Sequence, residues 1–544
     1  MRGDAGLGTR VADSLARQLA AAGIRHAFGI PGGEVLSLID ALGAAGIEYV
    51  TARHETAAGL MAEGASAASD APGLLVLTVG PGVSNAVNAI ANAFLDRVPL
   101  IVLSGAVDVE RPGSYTHQVF DQRALLRPIV KASFVAAPET IARTTCEALA
   151  LAQRHPRGPV HIEVPMAIAS SLVSSLEPEP APAPESVVLH RATLHEAAAW
   201  LARAERPLVI AGLEAVDSQV AFALAELVRT QQLPLLTTYK AKGVLDEADP
   251  LCIGAIALSP RADALVRPLI QAADVVLLVG YDPVEMRASY ARPFSAHTHV
   301  VELSPVRREH AMHEAQLPIV GDLAASLREL TGRCSPPRPR WLASEPTGVR
   351  TALRDAFAPD ARARFCPLAV SEVLSRVLPD TARLTIDTGA HRIVLSQALR
   401  ARWPGQVLQS NGLCTMGYAL PCAIGLARAS GRKVIAAMGD GGFEMVAGEL
   451  ATVRDLGLPL ILVVFDDRSL ALIDQKQQAA GLVRRGVWLG ATDHVALAQA
   501  FGGRGVRVED SGALEQALLE ALQIEDSFSV VSCALPRGAY ENIL

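Results

Sequence analysis

The sequence predicts an α/β protein made of three doubly wound parallel-sheet domains. The 544-residue chain is too long for one hydrophobic core. Two Pro-rich stretches, LEPEPAPAPE at 176–185 and CSPPRPRWLASEP at 334–346, divide it into blocks of ordinary domain size. Within each block, short β-branched runs alternate with longer Ala- and Leu-rich stretches, as strands and crossover helices do in a parallel sheet. The expected domains are 1–175, 189–333 and 364–537, with linkers at 176–188 and 334–363.

Residues 1–23 read as an amphipathic helix without the apolar centre of a signal peptide. HAFGI at 26–30 is strand-like and runs into Pro31-Gly32-Gly33 before a helix. Glu55 opens a second helix whose next turns are small and apolar. Strands follow near 74–78, 100–104 and 160–164. The central block has them near 208–211, 275–280 and 299–303, and the third block near 384–387, 433–438, 458–465 and 529–533. No short internal repeat is visible.

Half the residues are hydrophobic and the net charge is −7, with Lys and Arg dispersed. That leaves no nucleic-acid surface. The 7 cysteines are odd in number and without paired spacing, which argues for a reducing compartment and against a disulfide framework or a zinc site. The longest apolar runs have strand length, far short of a membrane span. The expected location is the cytoplasm, with no membrane or nucleic-acid partner.

The most informative segment is GDGGFEMVAGELATVRDLGLPLILVVFDDRS. One strand runs into Gly439-Asp440-Gly441-Gly442, and a second ends in Asp466-Asp467. Asp440 and Asp467 thus stand at the carboxyl ends of two strands of one βαβ unit, where open parallel sheets bind ligands. Carboxylates suit Mg²⁺, which is held by one or two of them together with substrate phosphates. The glycines let backbone N–H groups approach an anion at the helix start. The implied ligand is a diphosphate held through a metal.

A GDG turn followed 27 residues later by a polar pair resembles the signature of thiamin-diphosphate enzymes. The resemblance implies that Asp440 and Asp467 ligate Mg²⁺ with the backbone carbonyl of Ser469. Many members carry Asn at the second position, and Asp there matches acetolactate synthases of the catabolic type. The pattern RHE-x-x-A-x-x-M-A-E-G resembles the pyrimidine-binding domain of the same family. It implies that Glu55 hydrogen-bonds the cofactor's aminopyrimidine and so promotes loss of the thiazolium C2 proton. By the same resemblance, Met416 props the cofactor into a bent shape, the carbonyl of Cys414 accepts from its amino group, and Gly389, Ala390 and His391 contact the diphosphate. Gly33 approaches the reacting carbon. His117 and Gln118, within THQ-x-x-D-x-x-A-L-x-x-P-I-x-K, bind a carboxylate or carbonyl oxygen, with Lys131 more remote. Leu472 and Ile473 line the acceptor pocket, while Gln475 and Lys476 depart from the residues common there.

The central segment ADVVLLVGYDPVEMR resembles that of catabolic acetolactate synthases, and the three-glycine run of FAD-binding relatives is absent from VIAGLEAVD. No full G-x-G-x-x-G stands in a dinucleotide-binding context. FAD is therefore not expected. The resemblance implies a homodimer or homotetramer with its active site at a subunit interface. It also implies decarboxylation of a 2-oxo acid, most simply pyruvate, and transfer of the acyl unit to a second carbonyl. A 2-oxo acid decarboxylase, a benzaldehyde-lyase-like enzyme and a 2-hydroxyacyl-CoA lyase use the same motifs. A non-catalytic α/β binding protein is the remote alternative.

Overall fold

The computed structural model describes residues 8–107, 116–173, 190–337, 340–342, 345–359, 365–541 and 543. The linker expected at 176–188 lies outside them. Three six-stranded parallel sheets account for the architecture. The first contains β1 (His26–Gly29), β2 (Glu48–Thr51), β3 (Gly73–Leu77), β4 (Leu100–Ala106), β5 (Ser133–Val135) and β6 (Pro159–Pro165), in the order β2-β1-β3-β4-β6-β5. The second contains β7 (Pro207–Ala211), β8 (Leu235–Thr238), β9 (Cys252–Ile256), β10 (Val275–Val279), β11 (His299–Ser304) and β12 (Leu317–Val320), in the order β12-β11-β10-β7-β8-β9. The third contains β13 (Arg383–Ile386), β14 (Val407–Gln409), β15 (Val434–Gly439), β16 (Ile461–Asp466), β17 (Arg504–Val508) and β18 (Ser529–Ala534), in the order β14-β13-β15-β16-β18-β17.

The first and third sheets share one strand order, a duplication of architecture with no repeat legible in the sequence. The order of the central sheet is that of dinucleotide-binding folds. At its switch point, between β7 and β10, the backbone turns pack closely on one another. A Cβ on Gly212 would lie 2.5 Å from the Cα of Tyr281, and one on Gly280 would lie 2.6 Å from the nitrogen of Ala215. The Arg308 guanidinium pairs with Glu214, which lies in the turn after β7, and at 3.5 Å with Asp282, in the turn after β10.

Strands buried on both faces by helices read as continuous apolar runs, and β10 and β16 are buried along their whole length. The stretch expected as a linker at 334–363 holds a helix instead, Glu345–Ala356. Its buried Leu353, with Phe357 just beyond it, joins the core of the central domain, so the proline content upstream does not extend through it.

The first and third domains are locked by two helices, Glu55–Ala67 and Ala419–Ser430. A Cβ on Gly64 would stand 2.0 Å from the carbonyl oxygen of Cys422, and one on Gly425 would stand 1.8 Å from that of Met61. The backbones therefore cross in contact. This register makes the helices antiparallel, so Glu55 and Tyr418 lie at opposite ends of the crossing.

Candidate active site

β13 and β15 flank the switch point of the third sheet, where crossovers leave in opposite directions and open a crevice. Asp387 follows β13, Asp440 follows β15, and Asp467 follows β16. Asp440 and Asp467 are 4% and 3% exposed. Among the described residues neither carboxylate has an ion pair, whereas adjacent Asp466 is answered by Arg507 at 2.8 Å. Burial, and then the charge of Asp467, pushes the Asp440 carboxyl up to about 7. Burial likewise pushes Asp467 up to about 6, with Asp466 adding to the rise. A pair of buried acids with raised pKa values and no cation of their own suits a divalent metal.

The turn between them is shaped for the same purpose. Arg468 sits at φ +55, a conformation costly for a side-chain-bearing residue, and its N–H donates to Asp440 at 2.6 Å. The Ser469 hydroxyl donates to Asp467 at 2.6 Å. Asp387, fully buried, accepts from the N–H groups of Thr388, Gly417 and Tyr418. A Cβ on Gly442 would lie 2.1 Å from the Asp387 carboxylate, so this position requires glycine. Gly439, Gly441 and Gly442 keep the floor of the crevice open.

The loop at 388–391 carries orphaned polar atoms. Thr388 Oγ1 and His391 Nε2 are buried without a hydrogen-bond partner among the described residues. The His391 ring stacks on Phe465 at 5.5 Å, and burial holds it down to about 3, so it is a neutral imidazole. Buried unpaired groups of this kind call for a ligand. Gly389 and Ala390 form the turn between β13 and the helix Ala390–Ala398. The donor set and the orphaned atoms therefore fit a diphosphate and its metal.

The Cys414–Met416 segment closes the crevice. Cys414 is held at φ +58, and its thiol donates to the Asn411 carbonyl at 3.1 Å. The Met416 methyl reaches to 4.0 Å from the place a Cβ would take on Gly441. This loop is moored to the first domain by its own chain. Asp96 accepts from the N–H groups of Asn411 and Gly412, Asn92 accepts from Ser410 at 2.6 Å, and Asn88 accepts from Thr415 at 2.8 Å. Lys240 of the central domain pairs with Asp96 at 3.1 Å. Glu63 accepts from Asn92 and Tyr418, and burial raises it to about 7. A buried polar junction of all three domains thus stands behind the loop, and the sequence analysis missed it, because its members lie far apart in the chain.

In the first domain Glu55 is 6% exposed, opens its helix, and accepts from Asn85 at 3.0 Å. The turn before it is tied to the third domain, where Glu449 accepts from the N–H groups of Arg53 and His54. Asn85 and Glu449 were also missed, although Glu449 sits in the segment singled out for Asp440 and Asp467. Gly33 has open space at its Cβ position, while a Cβ on Gly32 would lie 2.2 Å from Thr78 Oγ1, so Gly32 makes the close approach. His117 and Gln118 occupy an exposed turn, with the Gln118 carbonyl seated over Gly80. Lys131 differs from its expected role. Its ammonium donates to the carbonyls of Leu151, at 2.5 Å, and Arg154, capping the helix Ile141–Gln153. Leu472 and Ile473 part company too: Leu472 packs on the apolar cluster shared with the central domain, and Ile473 is exposed.

Glu55 stands nine residues before Gly64, about 13 Å along its helix from the crossing point. Gly417, beside Met416, lies against Val446 and Gly442.

Fold and crevice together define an enzyme that holds a diphosphate cofactor on a parallel α/β scaffold. Comparison with known proteins narrows this. Residues 9–125, 194–330 and 387–533 match the N-terminal TPP binding, central and C-terminal TPP binding domains of thiamine pyrophosphate enzymes. The chain is 30% identical to a probable acetolactate synthase large subunit of Methanocaldococcus jannaschii, over 94% of this chain and 89% of that protein. It is 28% identical to an acetolactate synthase of Bacillus subtilis, over 95% and 90%. It is 31% identical to a probable 2-ketoarginine decarboxylase of Pseudomonas aeruginosa, over 93% and 90%. The chain belongs to the thiamine pyrophosphate enzymes and is an acetolactate synthase-like member of them. Among the described residues no helix is long and apolar enough to cross a membrane.

Proposed function

We propose that this chain, with thiamin diphosphate and Mg²⁺, decarboxylates pyruvate and joins the acyl unit to a second 2-oxo acid. The observation that carries the proposal is the buried Asp440–Asp467 pair, raised in pKa and without a cation, at the ends of adjacent strands beside an orphaned Thr388 and His391. Asp440, Asp467 and the Ser469 carbonyl hold the metal, and the loop at 388–391 holds the diphosphate. When bound, the thiazolium supplies a carbon nucleophile and an electron sink for decarboxylation. The chain's part is to orient and to move protons. Glu55 holds the aminopyrimidine edge, kept in place by Asn85. Met416 and the Cys414 carbonyl set the shape in which the cofactor is bound. Gly32 and Gly33 leave room at the reacting carbon, and His117 and Gln118 supply polar contacts to substrate.

The resemblance to acetolactate synthases supports a homodimer or homotetramer in which Glu55 of one subunit serves the diphosphate site of another. Exposed Met445, Ile473, Leu482 and Val483 give the third domain an apolar rim for that contact. The absence of a three-glycine run from VIAGLEAVD supports a reading without FAD, and flavin absorbance near ~450 nm in the pure protein would overturn it. The 2-ketoarginine decarboxylase relative favours one alternative, a 2-oxo acid decarboxylase that releases an aldehyde.

The test is incubation of the protein with thiamin diphosphate, Mg²⁺ and pyruvate, with products identified by mass spectrometry. Acetolactate formation abolished by a chelator is the expected result. Acetaldehyde without acetolactate selects the decarboxylase, and no turnover of pyruvate with cofactor bound removes this substrate.

A further inference from the structure

We propose that Glu302, His310 and His313 of the central domain form a second metal site, selective for a borderline transition cation of the Zn²⁺ class. Glu302 lies on β11, and the loop after that strand returns both histidines over it. The donor atoms of the three side chains all lie within 4.8 Å of one another. Around a tetrahedral zinc, nitrogen and oxygen ligands stand about 3.3 Å apart, so a modest rotation of the half-exposed His310 ring closes the set. His313 Nε2 is 3.2 Å from the Glu302 carboxylate, and the two imidazole rings are 4.4 Å apart.

A simple His–Glu ion pair accounts for His313 and leaves the second ring unexplained. Two imidazoles and one carboxylate, with a fourth position open to water, are a ligand set that zinc takes and Mg²⁺ does not. The imidazoles must be neutral to bind. Burial, and then the neighbouring His313, holds His310 below its ordinary value. Glu302 and His313 are 8% and 6% exposed, and the rings of Tyr281 and Phe294 stand edge-on to His313 at 5.4 and 6.2 Å. The one cation in the same loop that reaches inward, Arg308, is answered by Glu214 and Asp282. Binding exchanges one contact, the Met312 N–H donating to His310 Nδ1 at 3.2 Å, for a metal–nitrogen bond. An occupied site pins the loop that follows β11.

The experiment is independent of turnover. Chelator-stripped protein, its third-domain carboxylates saturated with Mg²⁺ and thiamin diphosphate, is dialysed against Zn²⁺ and the bound zinc counted. Wild type is expected to retain one more Zn²⁺ per chain than His310→Ala, with binding weakened at least tenfold in the variant. Glu302→Gln, which keeps the side-chain shape, is expected to weaken it likewise. Co²⁺ in place of Zn²⁺ is expected to give visible ligand-field bands in wild type and not in His310→Ala. Equal zinc content and affinity in wild type and His310→Ala overturns the site, as does wild type that takes up no zinc. His310 is half-exposed, so its substitution leaves the core intact.

Discussion

If Asp440 and Asp467 hold the metal as proposed, its affinity depends on pH in a way the structure sets. In the metal-free protein both carboxyls sit above their ordinary range, at about 7 and about 6. Protonation therefore stabilises this state. That stability is fully present below the ordinary carboxyl range and is lost as pH rises through 6 to 7. A divalent cation requires both groups ionised. Treated as independent, they are both ionised in about 90% of molecules at pH 8 and in about 5% at pH 6. Affinity for the cation should fall about 20-fold over that interval, roughly 2 kcal/mol. Mn²⁺ in place of Mg²⁺ reports this directly through the electron paramagnetic resonance of the free ion, measured without cofactor so that phosphate titration plays no part. In Asp467→Asn a single ionisation remains, and Asp440 loses its charged neighbour and falls in pKa. The ratio between pH 8 and pH 6 should shrink to tenfold or less (about twofold if Asp440 drops to 6). An undiminished 20-fold ratio in Asp467→Asn, or no pH dependence in wild type, refutes the assignment of the pair as the metal site.

Glu55→Gln should lose most of the activity while still binding cofactor, checked by product formation against cofactor-quenched fluorescence. Undiminished turnover removes Glu55 from the mechanism. Gly425→Ala drives a methyl to 1.8 Å from the Met61 carbonyl oxygen, where only a separation of the two helices relieves it. We expect a loss of about 3 kcal/mol or more, read as a fall in melting temperature. Lys240→Met leaves Asp96 with its charge unanswered in the three-domain junction, an expected cost of about 3–5 kcal/mol. Because Asp96 holds Asn411 and Gly412, cofactor affinity should fall too, and pairing the change with Asp96→Asn should restore part of the stability. Equal cofactor affinity in Lys240→Met and wild type would detach the junction from the site.

The sequence by itself determined the fold class, because buried parallel strands leave continuous apolar runs such as 275–279 and 461–465 that need no partner to be read. It placed the two buried carboxylates as well, since Asp440 and Asp467 belong to one βαβ unit whose local order puts both at strand ends. It marked Glu55 through the helix that this residue opens. Edge strands such as β2, β5 and β17 escaped it, being short and partly exposed, with no run of apolar residues to announce them. Tertiary structure alone decided what depends on packing across long separations. It joined Asp96, Lys240 and Asn411, three residues of three domains, behind the cofactor loop. It turned Lys131 onto the end of a helix, where backbone carbonyls of the last turn attract a cation. It crossed two helices in backbone contact at Gly64 and Gly425, locking the first domain to the third. Spacing along a chain fixes neighbours within a βαβ unit, whereas the meeting of distant segments depends on which surfaces fit, and no local pattern encodes that.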